Sequence, residues 1–144
     1  MKEQELHIRA GIAALAALTT SLPATAQDQW PICTTGKRIT CIVDGDTFWR
    51  DGIKYRIVGY DAPEAGEGAR CGQERALADR ATQQLQRLMS TPGIQYRDQG
   101  EDRYGRVLTQ VMTQHGDIAD QMIKLGLGHA YRGGYRDRNQ WCQS

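Results

Sequence analysis

Residues 43–64 of the chain read VDGDTFWRDGIKYRIVGYDAPE, and this stretch decides the fold. Within it, Asp51-Gly52 lies between two runs rich in aromatic and β-branched residues, 47–50 and 53–58. Asp-Gly between such runs is the strongest short signal for a β-hairpin, because both residues tolerate a positive φ. The stretch therefore predicts two paired strands, with a further strand before them.

Periodic patterns on both sides of the hairpin complete the predicted fold. The predicted elements are strands over 38–43, 47–50, 53–58, 94–97 and 107–112 and helices over 73–89 and 118–125. Asp117 is the expected N-cap of the second helix, which Gly126 ends. This order fits an α+β, mainly β fold: a five-stranded Greek-key barrel of the OB type with two packed helices.

Residues 1–26 have the layout of a secretory signal peptide. An apolar run without charge, 11–22, precedes a small-x-small cleavage pattern that ends at Ala26. The run is too short to span a bilayer. We expect cleavage after Ala26, a mature domain over 27–144, and a secreted or periplasmic monomer without stable membrane association. The alternatives are an N-terminal membrane anchor or a misassigned start codon.

The chain has four cysteines, which are Cys33, Cys41, Cys71 and Cys142. An even count in a small exported domain indicates two disulfide bonds, for which three pairings are possible. We favour Cys33–Cys41, which closes a short loop, and Cys71–Cys142, which ties the tail to the middle of the chain. A zinc site would need closely spaced cysteine pairs, and the sequence has none.

The charge of the chain is nearly balanced, with 18 basic and 17 acidic residues and a net charge of +1. This balance argues against a histone-like or polybasic protein that packages DNA. It is compatible with an enzyme that binds nucleic acid through a local basic cleft.

Two aspartates within the opening stretch are candidate metal ligands. Asp44 and Asp46 flank Gly45 at a strand end, and for Asp44 we favour an ordinary turn role. Strand pairing can bring Asp46 beside Asp61, and two converging carboxylates repel each other unless a cation lies between them. Ligands that are all oxygen select Ca²⁺ or Mg²⁺. The spacing does not fit an EF-hand loop.

Two arginines are candidate phosphate ligands. Arg56 lies on a predicted strand and Arg106 follows a charged loop. By default, the first is a surface charge and the second a solvated loop charge. A guanidinium nevertheless fits two phosphate oxygens at once and stays protonated at working pH. Two such groups opposite a metal and a carboxylate would suit phosphoryl transfer.

The chain resembles the staphylococcal nuclease-like (thermonuclease) family in four stretches that occur in the family's order. These stretches are 43–48, 55–64, 102–106 and 126–128. The order and approximate spacing agree from about residue 38 to 132. The resemblance implies an OB-fold barrel with packed helices, and a Ca²⁺-dependent phosphodiesterase that acts on DNA and RNA.

The resemblance also implies roles for single residues. The carboxylates of Asp46 and Asp61 and the backbone carbonyl of Ala62 match the Ca²⁺ ligands. Glu64 matches the general base for the attacking water. The remaining matches are the transition-state pair Arg56 and Arg106, and the nucleotide-pocket residues Arg103, Tyr104 and, across a one-residue gap, Tyr131.

The tail departs from the resembled pattern, because the namesake enzyme continues into a long C-terminal helix. Here the tail carries Arg132, Arg136 and Arg138, which either extend a phosphate-binding surface or are solvated. The favoured Cys71–Cys142 bond would anchor this tail.

The sequence thus predicts a secreted, Ca²⁺-dependent endonuclease for DNA, RNA or both. One alternative is a noncatalytic OB-fold module that binds oligonucleotides. A second is an envelope protein that keeps the fold but binds a peptide or glycan.

Overall fold

The computed structural model describes residues 29–142, so the expected signal peptide lies outside the described residues. The fold is mainly β with two helices, which confirms the predicted class. None of the helices within 29–142 is long and apolar enough to cross a membrane.

Eight strands, two α-helices and one short 3₁₀ helix, Gly66–Gly68, make up the described part of the chain. The strands are β1 (Cys41–Ile42), β2 (Thr47–Arg50), β3 (Ile53–Ile57), β4 (Gly59–Asp61), β5 (Gln95–Glu101), β6 (Val107–Thr113), β7 (Gly116–Asp117) and β8 (His129–Tyr131). The α-helices are α1 (Gly72–Met89) and α2 (Ile118–Lys124). Asp117 is the N-cap of α2, and its side chain accepts a hydrogen bond from Ala119 N at 2.8 Å.

The hairpin predicted from Asp51-Gly52 is present. β2 and β3 pair antiparallel, with Thr47 opposite Arg56 and Arg50 opposite Ile53. Asp51 and Gly52 have φ values of 52° and 80°, as a tight two-residue hairpin loop requires. Local turn chemistry therefore fixes the register of these strands.

The strands form two sheets, and the predicted closed five-stranded barrel is not confirmed. The larger sheet has the order β1-β2-β3-β6-β5, with β7 on β6, and a smaller sheet pairs β4 with β8. β3 ends at Ile57, within one residue of the predicted strand over 53–58, and the chain changes direction at Gly59, which has a φ of 97°. After this change of direction, the chain leaves the larger sheet and pairs with β8, which the sequence did not predict.

The core lies between the sheets and the two helices. Its buried side chains include Ile42, Phe48, Tyr55, Ile57, Tyr60, Leu85, Val111, Ile118 and Met122. Gly45 lies where the loop before β2 meets α1. A Cβ at this position would lie 2.7 Å from Ala81 Cβ and 2.8 Å from Ala62 Cβ. The loop can therefore approach α1 this closely only with glycine at position 45.

Two disulfide bonds join Cys33 to Cys41 and Cys71 to Cys142, which are the pairs favoured from the sequence. The second bond links the N-cap of α1 to the end of the tail, with a Cα–Cα distance of 5.9 Å. Beside it, Trp141 is buried and its ring packs edge-on against His129, with centroids 4.1 Å apart. The tail is thus anchored at its end.

Candidate active site

The guanidinium of Arg56 lies between two buried carboxylates. Its Nη1 is 3.0 Å from Asp46 Oδ2, and its Nη2 is 3.2 Å from Asp61 Oδ1. The Arg56 side chain is only 11% exposed, so it is not the surface charge expected by default for a strand arginine. Burial alone would lower the pKa of Arg56, but the two carboxylates raise it above its ordinary value. Arg56 is therefore a permanent cation at the centre of the cluster.

Strand pairing brings Asp46 to this cluster. Asp46 directly precedes β2, and Ile57 N of β3 donates to its backbone oxygen at 2.9 Å. Its carboxylate accepts hydrogen bonds from Thr47 Oγ1 at 2.8 Å and from Ala62 N at 3.1 Å. The Asp46 side chain therefore ties the start of β2 to the segment after β4, where the predicted partner Asp61 lies.

Asp44 has the turn role that we favoured for it. Its Oδ1 accepts a hydrogen bond from Asp46 N at 3.1 Å. Burial, and then the negative charge of Asp46, raise the pKa of Asp44 to about 7. Near neutral pH, this carboxyl is therefore only partly charged, which reduces its repulsion of Asp46.

Glu64 is positioned by a second, buried glutamate. Glu64 N donates to Glu74 Oε1 at 3.1 Å, and Arg70 N donates to Glu74 Oε2 at 2.7 Å. The Glu74 residue is 1% exposed and lies in the first turn of α1, where the helix dipole favours an anion. Sequence reasoning missed Glu74. Its position three residues after the N-cap Cys71 was the available signal.

Like Glu74, Arg136 of the tail contacts the site in a way that the sequence did not predict. Its Nη1 contacts Asp61 Oδ1, and its Nη2 is 3.4 Å from Glu64 Oε1. Gln140 Nε2 also reaches Asp61 Oδ2, at 3.4 Å. A separation of 75 residues between Arg136 and Asp61 leaves no local pattern from which the contact could be predicted.

Arg106 reaches the same face of the sheet as Arg56 through parallel pairing of β3 with β6. Arg56 pairs with Leu108, and side chains alternate along a strand. Arg106, two residues before Leu108, therefore lies level with Lys54 on the face that carries Arg56. The structure thus accounts for how two arginines 50 positions apart line one cleft.

The side chain of Arg106 is held by contacts within its own turn, residues 102–106. Arg106 Nε and Nη2 lie 2.8 and 2.7 Å from Asp102 Oδ2. Asp102 Oδ1 accepts hydrogen bonds from Tyr104 N at 2.9 Å and from Arg106 N at 3.1 Å. Burial opposes ionisation of Asp102, but these hydrogen bonds outweigh it and lower its pKa. The ion pair of Arg106 within residues 29–142 is with Asp102, not with the carboxylates around Arg56.

The predicted pocket residues lie on the rim of the cleft. Tyr104 is 68% exposed, and the guanidinium of Arg103 lies 4.9 Å from the centre of its ring. Tyr131 is half-buried in β8, and its hydroxyl donates to Gly134 O at 3.0 Å. The exposed face of Tyr104 offers a stacking surface for a planar ligand.

One cavity of about 720 Å³ is lined by Asp46, Arg56, Glu64, Arg106 and the rim residues Arg103, Tyr104 and Tyr131. Six basic side chains line it, against three acidic ones. The basic residues are Lys54, Arg56, Arg103, Arg106, Arg136 and Arg138, and the acidic residues are Asp44, Asp46 and Glu64. A protein with a net charge of +1 thus concentrates positive charge in one cleft, which suits a polyanionic ligand.

The donor atoms in the cleft fit a hard cation. Among residues 29–142, no group of three or more His, Cys, Asp or Glu side chains is arranged to hold a metal ion. A metal would therefore depend on two carboxylates, those of Asp46 and Asp61, together with backbone oxygen and water. Their convergence on one guanidinium brings both carboxylates within reach of a single cation, and ligands that are all oxygen suit Ca²⁺.

Known proteins are similar to this chain in sequence. The family model described as "Staphylococcal nuclease homologue" matches residues 54–143. A micrococcal nuclease of Shigella flexneri is 32% identical over 145 residues, covering 92% of this chain and 74% of the relative. An uncharacterized endonuclease of Haemophilus influenzae is 29% identical over 97 residues, covering 67% of this chain and 48% of the relative. The region that the family model matches contains Arg56, Asp61, Glu64 and Arg106.

Proposed function

The chain belongs to the staphylococcal nuclease family and is a phosphodiesterase, and on that premise we propose that it is a secreted, Ca²⁺-dependent endonuclease. The observation that carries the proposal is the cluster around Arg56. Arg56 contacts Asp46 and Asp61, Arg136 joins Asp61 to Glu64, and Arg106 lines the same basic cleft.

The proposed cation is held by Asp46, Asp61 and the backbone carbonyl of Ala62. When bound, Ca²⁺ neutralises negative charge on the phosphate as it reacts. The hydrogen bond from Ala62 N to Asp46 supports this assignment, because it keeps the backbone of the 61–62 segment beside the first carboxylate.

Glu64 is the proposed general base. It accepts a proton from a water molecule while the water oxygen bonds to phosphorus and the P–O ester bond on the opposite side breaks. The leaving ester oxygen takes up a proton from solvent and departs as a hydroxyl group. Its backbone is fixed by the buried Glu74, while its side chain is more than one-third exposed and lines the cleft. A positioned base contributes about 10²–10⁴ in rate.

Arg56 and Arg106 are the proposed ligands of the nonbridging phosphate oxygens. Arg106 uses Nε and Nη2 on Asp102, so Nη1 remains available to a phosphate. Arg56 stays charged because two carboxylates raise its pKa. Loss of one donor of this kind typically costs about 10²–10³ in rate.

The cleft supports single-stranded DNA or RNA as the substrate. Its excess of basic side chains attracts a phosphate backbone, and the exposed ring of Tyr104 can stack on a base. We propose that Arg103 and Tyr131 complete this nucleotide pocket. Export is supported by the signal-peptide pattern of residues 1–26 and by two disulfide bonds, which persist in oxidising compartments.

Cleavage assays with the disulfide-bonded protein test the proposal. Single-stranded DNA and RNA are incubated with the wild type in Ca²⁺ or in chelator, alongside Glu64→Gln and Arg106→Gln. We expect cleavage only with Ca²⁺ and a loss of at least about 10² in both variants. Glu67→Gln, a change at an exposed glutamate three residues from Glu64, should retain activity.

Two results would contradict parts of the proposal. Equal activity in chelator would remove the Ca²⁺ role. Binding of oligonucleotides without cleavage under any condition would support a noncatalytic oligonucleotide-binding module instead.

A further inference from the structure

The tail crosses the front of the cleft as a strap that is fixed at both ends. We call residues 133–142 the C-terminal strap. It follows β8, which pairs with β4, and it ends at the Cys71–Cys142 bond next to buried Trp141. Arg70 Nη1 also donates to Asn139 Oδ1 of the strap at 2.9 Å. The strap therefore has a defined path past the carboxylates.

Arg136 is the strap residue that faces the reaction centre. Two of its nitrogens contact Asp61 and Glu64, and its side chain is 30% exposed toward the cleft. A guanidinium has five N–H donors, so three remain after these two contacts. Arg136 can thus hold the carboxylates on one edge and offer further donors to an anion in the cleft.

Tyr135 stands beside Arg136 with its ring in solvent. It is 90% exposed, more than any other large hydrophobic residue in the described part of the chain, and it lines the same cavity. Exposed aromatic rings next to basic side chains are the combination that binds single-stranded nucleic acid. Tyr104 supplies one such ring on the rim of the cleft, and Tyr135 supplies a second.

Charge at the centre of the cleft also favours a phosphate-binding role for Arg136. A phosphodiester that approaches Glu64 meets a like charge, and the repulsion is strong in a partly buried site. Arg136 lies against the Glu64 carboxylate and offsets this charge. Arg138 adds a further cation to the same lining.

We propose that the C-terminal strap forms an additional nucleotide subsite. Arg136 contacts the phosphate adjacent to the scissile bond, and Tyr135 stacks on the base of that nucleotide. The inference rests on the proposed nuclease function, since it extends the same cleft by one nucleotide.

Substrates of two lengths test the subsite. The disulfide-bonded protein is assayed in Ca²⁺ with a single-stranded DNA dinucleotide and an octanucleotide, which alone reaches the strap. Tyr135→Ala should raise KM for the octanucleotide by at least about fivefold and leave the dinucleotide unchanged. Tyr135→Phe, which keeps the stacking ring, should behave as wild type.

Binding in chelator gives a readout that does not depend on catalysis. Fluorescence anisotropy of a labelled octanucleotide is measured over a series of salt concentrations. Arg136→Gln should weaken binding by about tenfold and reduce the slope of log Kd against log salt by about 0.7, as expected for one lost phosphate contact. Arg87→Gln is the matched control, because it removes the same charge from an exposed position near the end of α1.

The outcomes separate the subsite from the nuclease function. If the wild type cleaves but both strap variants keep the octanucleotide KM, Kd and salt slope, the subsite is wrong and the nuclease stands. If Arg136→Gln binds or cleaves more strongly than wild type, Arg136 is a latch over the carboxylates, which also overturns the subsite. If the wild type neither binds nor cleaves, both proposals fail.

Discussion

Arg56 and Arg106 face the same cleft, but the molecule holds them in opposite ways. Arg56 lies on the central strand β3, is nearly buried, and contacts carboxylates from two other segments of the chain. Arg106 lies on a turn of five residues and is held by Asp102 of that same turn. One half of the site therefore depends on the whole fold, whereas the other half is local.

Because the two arginines are held differently, their loss should have similar effects on activity but different effects on stability. Both arginines are proposed to contact the phosphate, so loss of either should reduce cleavage. Only loss of Arg56 leaves a buried carboxylate, that of Asp46, without a cation, and so only that loss should also destabilise the fold strongly.

Arg56→Gln should have the largest effect. It leaves Asp46 buried without a cation and Asp61 with Arg136 alone, and removing one partner of a buried pair costs about 3–5 kcal/mol. Urea unfolding measures the loss, with Arg97→Gln on the exposed strand β5 as the control. Arg106→Gln should lose as much activity with a stability change of about 1 kcal/mol or less. Equal destabilisation by the two changes would refute the comparison.

Glu74→Ala should come next, because it removes the buried acceptor of two backbone N–H groups. The N–H groups of Glu64 and Arg70 then lose their protein partner, which costs about 1 kcal/mol for each hydrogen bond because both groups can reach water. We expect a lower unfolding midpoint and a lower kcat, since the backbone that positions the proposed base is released. Glu74→Gln, which keeps one of the two acceptor oxygens, should retain more of the stability and of the kcat than Glu74→Ala. Wild-type kcat in folded Glu74→Ala would show that Glu74 does not position the base.

Gly45→Ala tests the packing beneath the buried half of the site. The added Cβ would lie 2.7 Å from Ala81 Cβ and 2.8 Å from Ala62 Cβ, so the loop or α1 must move. Overpacking of this kind costs about 1–3 kcal/mol. Gly72→Ala adds the same methyl group at the start of α1, where a Cβ would meet no atom of another segment within 4 Å, and should be nearly neutral. Thermal unfolding of the two variants and the wild type measures this difference in stability.

Asp102→Asn should have the smallest effect on stability, about 0.5–1 kcal/mol. Hydrogen bonds lower the pKa of Asp102 in the folded state below its unfolded value of about 3.9. Its contribution to stability is therefore present above about pH 4 and is lost as the pH falls through the lower folded-state pKa. Urea titrations of wild type and variant should differ at neutral pH and converge in acid. If the difference in unfolding free energy between wild type and variant grew as the pH fell, the prediction would be wrong.

The sequence predicted the features that depend on neighbouring residues. Asp51-Gly52 set the hairpin and Asp117 capped α2, because turn and cap chemistry act over two or three positions. Helical periodicity predicted α1 to within a residue. The convergence of Asp46 and Asp61 was also expected, although the cation between them in the structure is Arg56.

Features made by distant segments could not be predicted in the same way. β4 and β8 are three residues long, which is too short for a periodic signal, and their pairing depends on the change of direction at Gly59. The contact of Arg136 with Asp61 depends on how the strap is anchored. Glu74 reads as an ordinary helix residue until its burial is known.

The cleft is complete only when the Cys71–Cys142 disulfide bond has formed, because this bond fixes the end of the strap. The bond closes 71 residues of chain, a loop long enough for cross-linking to stabilise the fold by about 4 kcal/mol in the chain-entropy model. In the reduced chain, we expect Asp46 before β2, Arg56 on β3 and Asp61 on β4 to keep their places, while nothing covalent holds the end of the strap near Glu64. We therefore expect Tyr135 and Arg136 to be held at the cleft only when the chain folds in an oxidising compartment.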